Sequence, residues 1–242
     1  MSDATLQDLL TLGAQIGVFA AVGLVGLLIF PKSGRWKWLL LAMVLYCLNT
    51  ALLTRGFRIL PELVPDARWN WTGKTLSFIG MMIVVSLPVF GWRKVGLTWS
   101  QGPRPGAAYA LFAALMVLII TLNVANAGGP SDLETILFQW TMPGLEEELF
   151  FSGLLLFVMN EAFPNRTRIF GTPIGYGGLM VALLFGLVHA LEVGQAGLSF
   201  DGMAMALTGG PSLFVLWIRE RTGSIVLPVV GHNVSNGIGT VI

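Results

Sequence analysis

Charge is what this chain has least of. Only 11% of its 242 residues are Asp, Glu, Lys or Arg, and the net charge is +1, whereas an ordinary soluble domain carries about 25% charged residues. With no basic patch and a near-neutral balance, the composition excludes a nucleic-acid partner. There is one cysteine, Cys47, which rules out an internal disulfide framework and a cysteine metal cluster. No G-x-x-x-x-G-K-[ST] element offers a phosphate loop, and no HExxH marks a zinc-protease helix. No low-complexity segment, long linker or internal repeat interrupts the chain, and it has only two histidines.

What is present is apolar surface. Hydrophobic residues make up 55% of the chain, the mean hydropathy is +0.76, and several apolar runs approach the length of a membrane span. The expectation is one integral membrane domain over residues 1–242, an all-α, polytopic helix bundle in the lipid bilayer. About eight spans are expected, near 9–30, 38–54, 75–91, 107–126, 135–160, 174–192, 203–218 and 224–241. The opening MSDATLQD carries two acids and no base before the first apolar run, so that run is expected to be a retained helix rather than a cleaved signal. The loops after spans 1, 3, 5 and 7 hold Lys32, Arg35, Lys37, Arg93, Lys94, Arg104, Arg166, Arg168, Arg219 and Arg221, most of the fourteen basic residues. These loops are expected on the cytoplasmic side, with both termini outside. The loop after span 2, with Arg55, Arg58, Arg68 and Lys74, breaks that pattern.

The polar residues left inside the apolar runs carry the chemistry. GLEEELFFSG, residues 144–153, places Glu146, Glu147 and Glu148 in a row within the fifth run. An acid at the bilayer centre costs roughly 2.5–3.5 kcal/mol, so three facing lipid would cost on the order of 8–10 kcal/mol. They are therefore expected to face the bundle interior or a wet cavity. An ion pair with a base on another span is the structural alternative, but no Lys or Arg sits deep in an apolar run, so the partner is missing. Both histidines do lie in apolar runs, His189 in LLFGLVHALE and His232 in LPVVGHNVSN. Phe185 shares a helical face with His189, and His232 shares one with Asn236. Carboxylates, two imidazoles and an amide converging in a bundle core suit hydrolysis: a buried carboxylate takes a proton from water, an imidazole holds the water or protonates the leaving amine, and an amide meets an oxyanion. The same residues admit a divalent metal such as zinc, on Glu147, His189 and His232 with an open fourth position. Spacing alone does not separate these two routes.

The three elements EELFFSG (147–153), FGLVH (185–189) and HNVSN (232–236) resemble the CPBP family, the CAAX prenyl proteases and bacteriocin-processing enzymes also called Abi proteases. That family's pattern runs EExxFRG, FxxxH, HxxxN, in the same order, and the resemblance covers a CPBP-like core over roughly 135–240. It implies an intramembrane endopeptidase acting on a membrane-embedded or lipid-anchored protein or peptide. Carried over by motif, Glu147 is the base for water and Glu148 its companion; His189 helps to activate the water, and His232 with Asn236 binds the oxyanion. Glu146 falls outside the pattern when Gly153 sets the register. Ser152 stands where the family usually has Arg, so a hydrogen bond to Glu148 replaces an ion pair. A compact chain of this style is expected in a prokaryotic plasma (inner) membrane. Two other classes compete: a proton-coupled transporter, which predicts paired halves with broken helices, and a non-catalytic scaffold or immunity protein, which predicts that Glu147 is dispensable.

Overall fold

The computed structural model describes residues 2–242. The chain divides into two compact units, one formed by the residues up to Leu60 together with Leu155–Trp217, the other by Pro61–Leu154 and Ile218–Ile242.

In unit 1, α1 (Asp3–Ile29) is capped by Ser2, whose hydroxyl accepts the Thr5 amide, satisfying one of the donors that every helix start leaves open. α2 (Trp36–Leu53) follows, and then α3 (Arg55–Arg58), a single left-handed turn with positive φ at all four residues. α8 (Leu156–Ala162) and α9 (Tyr176–Ala190) complete the helical set with the first part of α10 (Gly202–Thr222). The Met159 carbonyl lies against Gly177, where a Cβ would stand 2.5 Å from it, so only glycine lets α8 and α9 approach this closely. Gln15 is the polar centre of the unit. Its amide donates to the carbonyls of Leu187 (3.3 Å) and Leu191 (2.9 Å) at the end of α9, and Tyr46 donates to its oxygen. Two hairpins flank α9: β1–β2 (Arg166–Ile169, Thr172–Gly175) and β3–β4 (Leu191–Gly194, Gly197–Phe200), both antiparallel. Phe170 and Gly171 turn the first with positive φ at both residues, as a two-residue hairpin turn requires. These hairpins qualify the all-α expectation, although the chain remains mostly helical.

Unit 2 begins with α4 (Trp71–Val85), capped by Asn70. α5 (Gly106–Ala125) is apolar except for Thr121 and Asn123 near its end. The expected fifth span, 135–160, is instead a broken rod. α6 (Leu133–Gln139) stops, α7 (Met142–Glu147) restarts with Pro143 in its first turn, and a π-helical stretch (Glu148–Leu155) leads into α8. Proline lacks the amide hydrogen that an uninterrupted helix would use, and the first turn is where that loss is free. α11 (Val226–Gly237) and a 3-10 turn (Ile238–Thr240) close the chain. Trp69 stacks on Phe138 at 5.2 Å and Trp71 meets its edge at 5.1 Å. Glu134 accepts the Trp69 amide and the Trp71 indole N–H, both at 3.2 Å, so the start of α4 is tied to α6.

Among the described residues three helices, α1, α2 and α5, are long and apolar enough to cross a membrane on their own; α4 and α9 are apolar but shorter. At 1.5 Å per residue, the 15 residues of α9 fall short of a hydrocarbon core about 30 Å thick. The protein is thus a helical membrane protein with fewer self-sufficient spans than the eight expected.

Candidate active site

Three consecutive glutamates cannot share a helical face, because each residue turns the side chain by about 100°. The structure uses that fan. At the end of α7, Glu146 is fully buried and points to α4, where Lys74 Nζ donates to Oε2 at 2.7 Å and Ser77 Oγ donates to Oε1 at 2.7 Å. Lys74 also donates to Glu147 Oε1 at 2.6 Å. Glu147 Oε2 lies 3.7 Å from His232 Nε2. His232 turns its other ring nitrogen, Nδ1, to Glu148 Oε1 at 2.8 Å, and Ser152 donates to Glu148 Oε2. The order is therefore Ser77, Glu146, Lys74, Glu147, His232, Glu148, Ser152, with acids and bases alternating. Side-chain exposures of 14% for Lys74, 15% for Glu147 and 13% for His232 put the charges out of bulk water, where each needs a counter-charge.

Local structure makes this array possible. α7 packs on α11 through Gly144: its amide donates to Asn233 Oδ1 at 2.9 Å, and a Cβ there would meet that oxygen and the Val229 carbonyl, the latter at 2.7 Å. The π-helical stretch then changes the turn just where Glu148 must reach α11; such bulges recur at functional sites. Arg219, buried, holds the Ser152 carbonyl through Nε at 3.1 Å and the Lys94 carbonyl through Nη2 at 2.8 Å, bracing the same stretch.

The ion-pair partner judged missing is Lys74, which corrects the sequence reading. It lies in the first turn of α4, where it reads as a loop base or a snorkelling lysine, and nothing local marks its partners. Nothing in the local sequence marks Asn233 beyond its place next to His232. Of the residues expected to converge, Glu147, Glu148 and His232 do so in unit 2. Asn236 is exposed, and no side-chain hydrogen bond holds it among the described residues. His189 belongs to unit 1, near the end of α9. Its Nδ1 is 2.8 Å from the Phe185 carbonyl and its ring 4.9 Å from the Phe185 ring, so the shared face read from the spacing is real. Ser152 makes the hydrogen bond to Glu148 expected of it.

The zinc alternative fits poorly. Among the described residues no group of three or more His, Cys, Asp or Glu could hold a metal ion, and Lys74 already sets a cation on the same Glu147 carboxylate, at Oε1.

Fold and site together define a helical membrane protein with a buried array of carboxylates, an ammonium and an imidazole. Residues 129–238, which hold every motif residue from Glu147 to Asn236, match the family model described as type II CAAX prenyl endopeptidase Rce1-like. This is consistent with the CPBP family that the three motifs resemble, and the family is one of proteases. No curated protein and no solved structure matches the chain.

Proposed function

We propose that this chain is an intramembrane endopeptidase that hydrolyses a peptide bond in a membrane-embedded or lipid-anchored protein or peptide, in a prokaryotic plasma membrane. The observation that carries the reading is the facing pair Glu147 Oε2 and His232 Nε2, 3.7 Å apart, with the far side of each group already engaged. Glu147 accepts a proton from water as the water oxygen bonds to the scissile carbonyl carbon; His189 is assigned to the reaction by its motif alone. His232, protonated on both ring nitrogens as an imidazolium with its Nδ1–H held by Glu148, presents Nε2–H to the oxyanion, with the Asn236 amide as second donor. The proton on Glu147 passes to the leaving amine as the C–N bond breaks.

The test is comparison of protein termini in membranes of the native host expressing wild type, Glu147→Gln, His189→Ala or His232→Ala at matched levels. The expected result is one processed terminus present with wild type and absent with all three variants. If no terminus differs while a wild-type phenotype persists in the variants, the chain is not a protease. The ion pair of Lys74 with Glu146 and Glu147 favours one competing reading in that case, a non-catalytic scaffold in which the acids hold helices together.

A further inference from the structure

The motifs leave Glu146 and Lys74 without a role, yet these are among the most deliberately placed side chains in unit 2. Lys74 lies on α4, outside the matched stretch. Its ammonium spans Glu146 Oε2 at 2.7 Å and Glu147 Oε1 at 2.6 Å. Glu146 is held from its other oxygen by Ser77 at 2.7 Å, so the anchor cannot turn. The first turn of α4 is itself fastened: Asn70 caps it, and Trp69 and Trp71 bind Glu134 and pack on Phe138. A lysine tethered at its backbone and at one acid then has one geometry left for the second acid. With Oε1 of Glu147 taken by Lys74, Oε2 is the oxygen turned to His232. A free glutamate has three rotatable bonds and would not hold one oxygen toward α11 without such a restraint.

We propose that Lys74 is a positioning residue for the candidate base: anchored by Glu146 and Ser77, it fixes the Glu147 carboxylate so that Oε2 faces His232. The first glutamate of the row, Glu146, is thereby the anchor of the lysine and not a spare catalytic acid. This inference rests on the peptidase reading for its effect on rate, but its geometric content stands without it.

The experiment uses the full chain in detergent micelles, with two readouts. The first is cleavage of a peptide spanning the terminus found in the host comparison. Lys74→Met is expected to lower kcat about 10²-fold, the usual consequence of a reacting group displaced by about 1 Å, with KM within about twofold; Lys74→Arg restores much of the loss. The double variant Lys74→Met/Glu146→Gln leaves no unpaired acid from Glu146, so it keeps the test available if Lys74→Met alone does not fold; its kcat is expected to be as low. The second readout needs no substrate: NMR of the ring nitrogens in protein labelled with 15N-histidine, where the chain's two histidines give two sets of signals and His189→Gln identifies those of His232. Lys74→Met should shift the His232 signals in the wild-type background and much less in a Glu147→Gln background, because the coupling runs through Glu147. A kcat unchanged in folded Lys74→Met, a change in KM alone, or equal His232 shifts in both backgrounds overturns the proposal. If no wild-type cleavage is found, the peptidase reading fails, and the NMR cycle alone decides whether Lys74 positions Glu147.

Discussion

The two units bury polarity in opposite ways. At the centre of unit 1, Gln15, Tyr46 and the carbonyls at the end of α9 form a neutral network in which each named group has a partner. In unit 2, α4, α7 and α11 bring together an ammonium, three carboxylates and an imidazole. A neutral network needs only matched donors and acceptors, and it ties helices together at low cost. Charges out of water carry a desolvation penalty that their mutual attraction barely offsets. A fold that needed only cohesion would use the first device throughout, so the second points to chemistry.

The largest expected effect is on rate. Glu147→Gln, nearly isosteric, should reduce cleavage by about 10²–10⁴-fold, the range for a lost general base, with the thermal midpoint little changed; a matched loss of stability would make the array structural, like that of unit 1. Next comes stability. Lys74→Met leaves Glu146 buried without its cation and should cost about 3–5 kcal/mol, as breaking a buried ion pair does, read by chemical denaturation in detergent. Gln15→Leu in unit 1 strands neutral groups only and should cost less, about 1–3 kcal/mol; if the two losses are equal, the contrast between the units disappears. Gly144→Ala forces α7 away from Asn233 and the Val229 carbonyl, an overpacking expected to cost about 1–3 kcal/mol and to lower cleavage as Glu147 moves off His232.

The smallest effect lies at the exposed start of α6. Hydrogen bonds from the Thr135 amide and hydroxyl, then the charge of Arg68, hold the Asp132 carboxyl below its usual value. A carboxyl lowered in the folded state adds stability above its unfolded value and loses it as pH falls through the folded one. Asp132→Asn should therefore remove a small stabilisation at neutral pH and less at acid pH, flattening the stability profile between them, by denaturation at pH 7 and pH 3.

Much of the site was legible because its residues are in the wrong solvent. Acids and histidines in apolar runs stand out against any membrane composition, and Glu147, Glu148 and His232 do meet. The bases that broke the loop-charge pattern were the unread clue: Arg58 pairs with Asp8, Arg68 with Asp132, and Lys74 with Glu146 and Glu147. They are ion-pair partners before they are topology signals. The break of the fifth run was harder to see, since Pro143 suits the start of a helix as well as it interrupts one, and a π turn has no local composition.

By itself the sequence determined the solvent, the helical class and the chemistry available, since hydropathy and the few polar residues in apolar runs depend on composition and order alone. It also carried the resemblance to the CPBP family, through three motifs, with which the family-model match over residues 129–238 is consistent. Only the tertiary structure decided which acid meets which base. Pairing between α4, α7 and α11 depends on the close approach at Gly144, the proline restart and the π turn, and on a lysine more than 70 residues from its partners. No local pattern encodes a contact of that separation, because it is made by packing and not by periodicity.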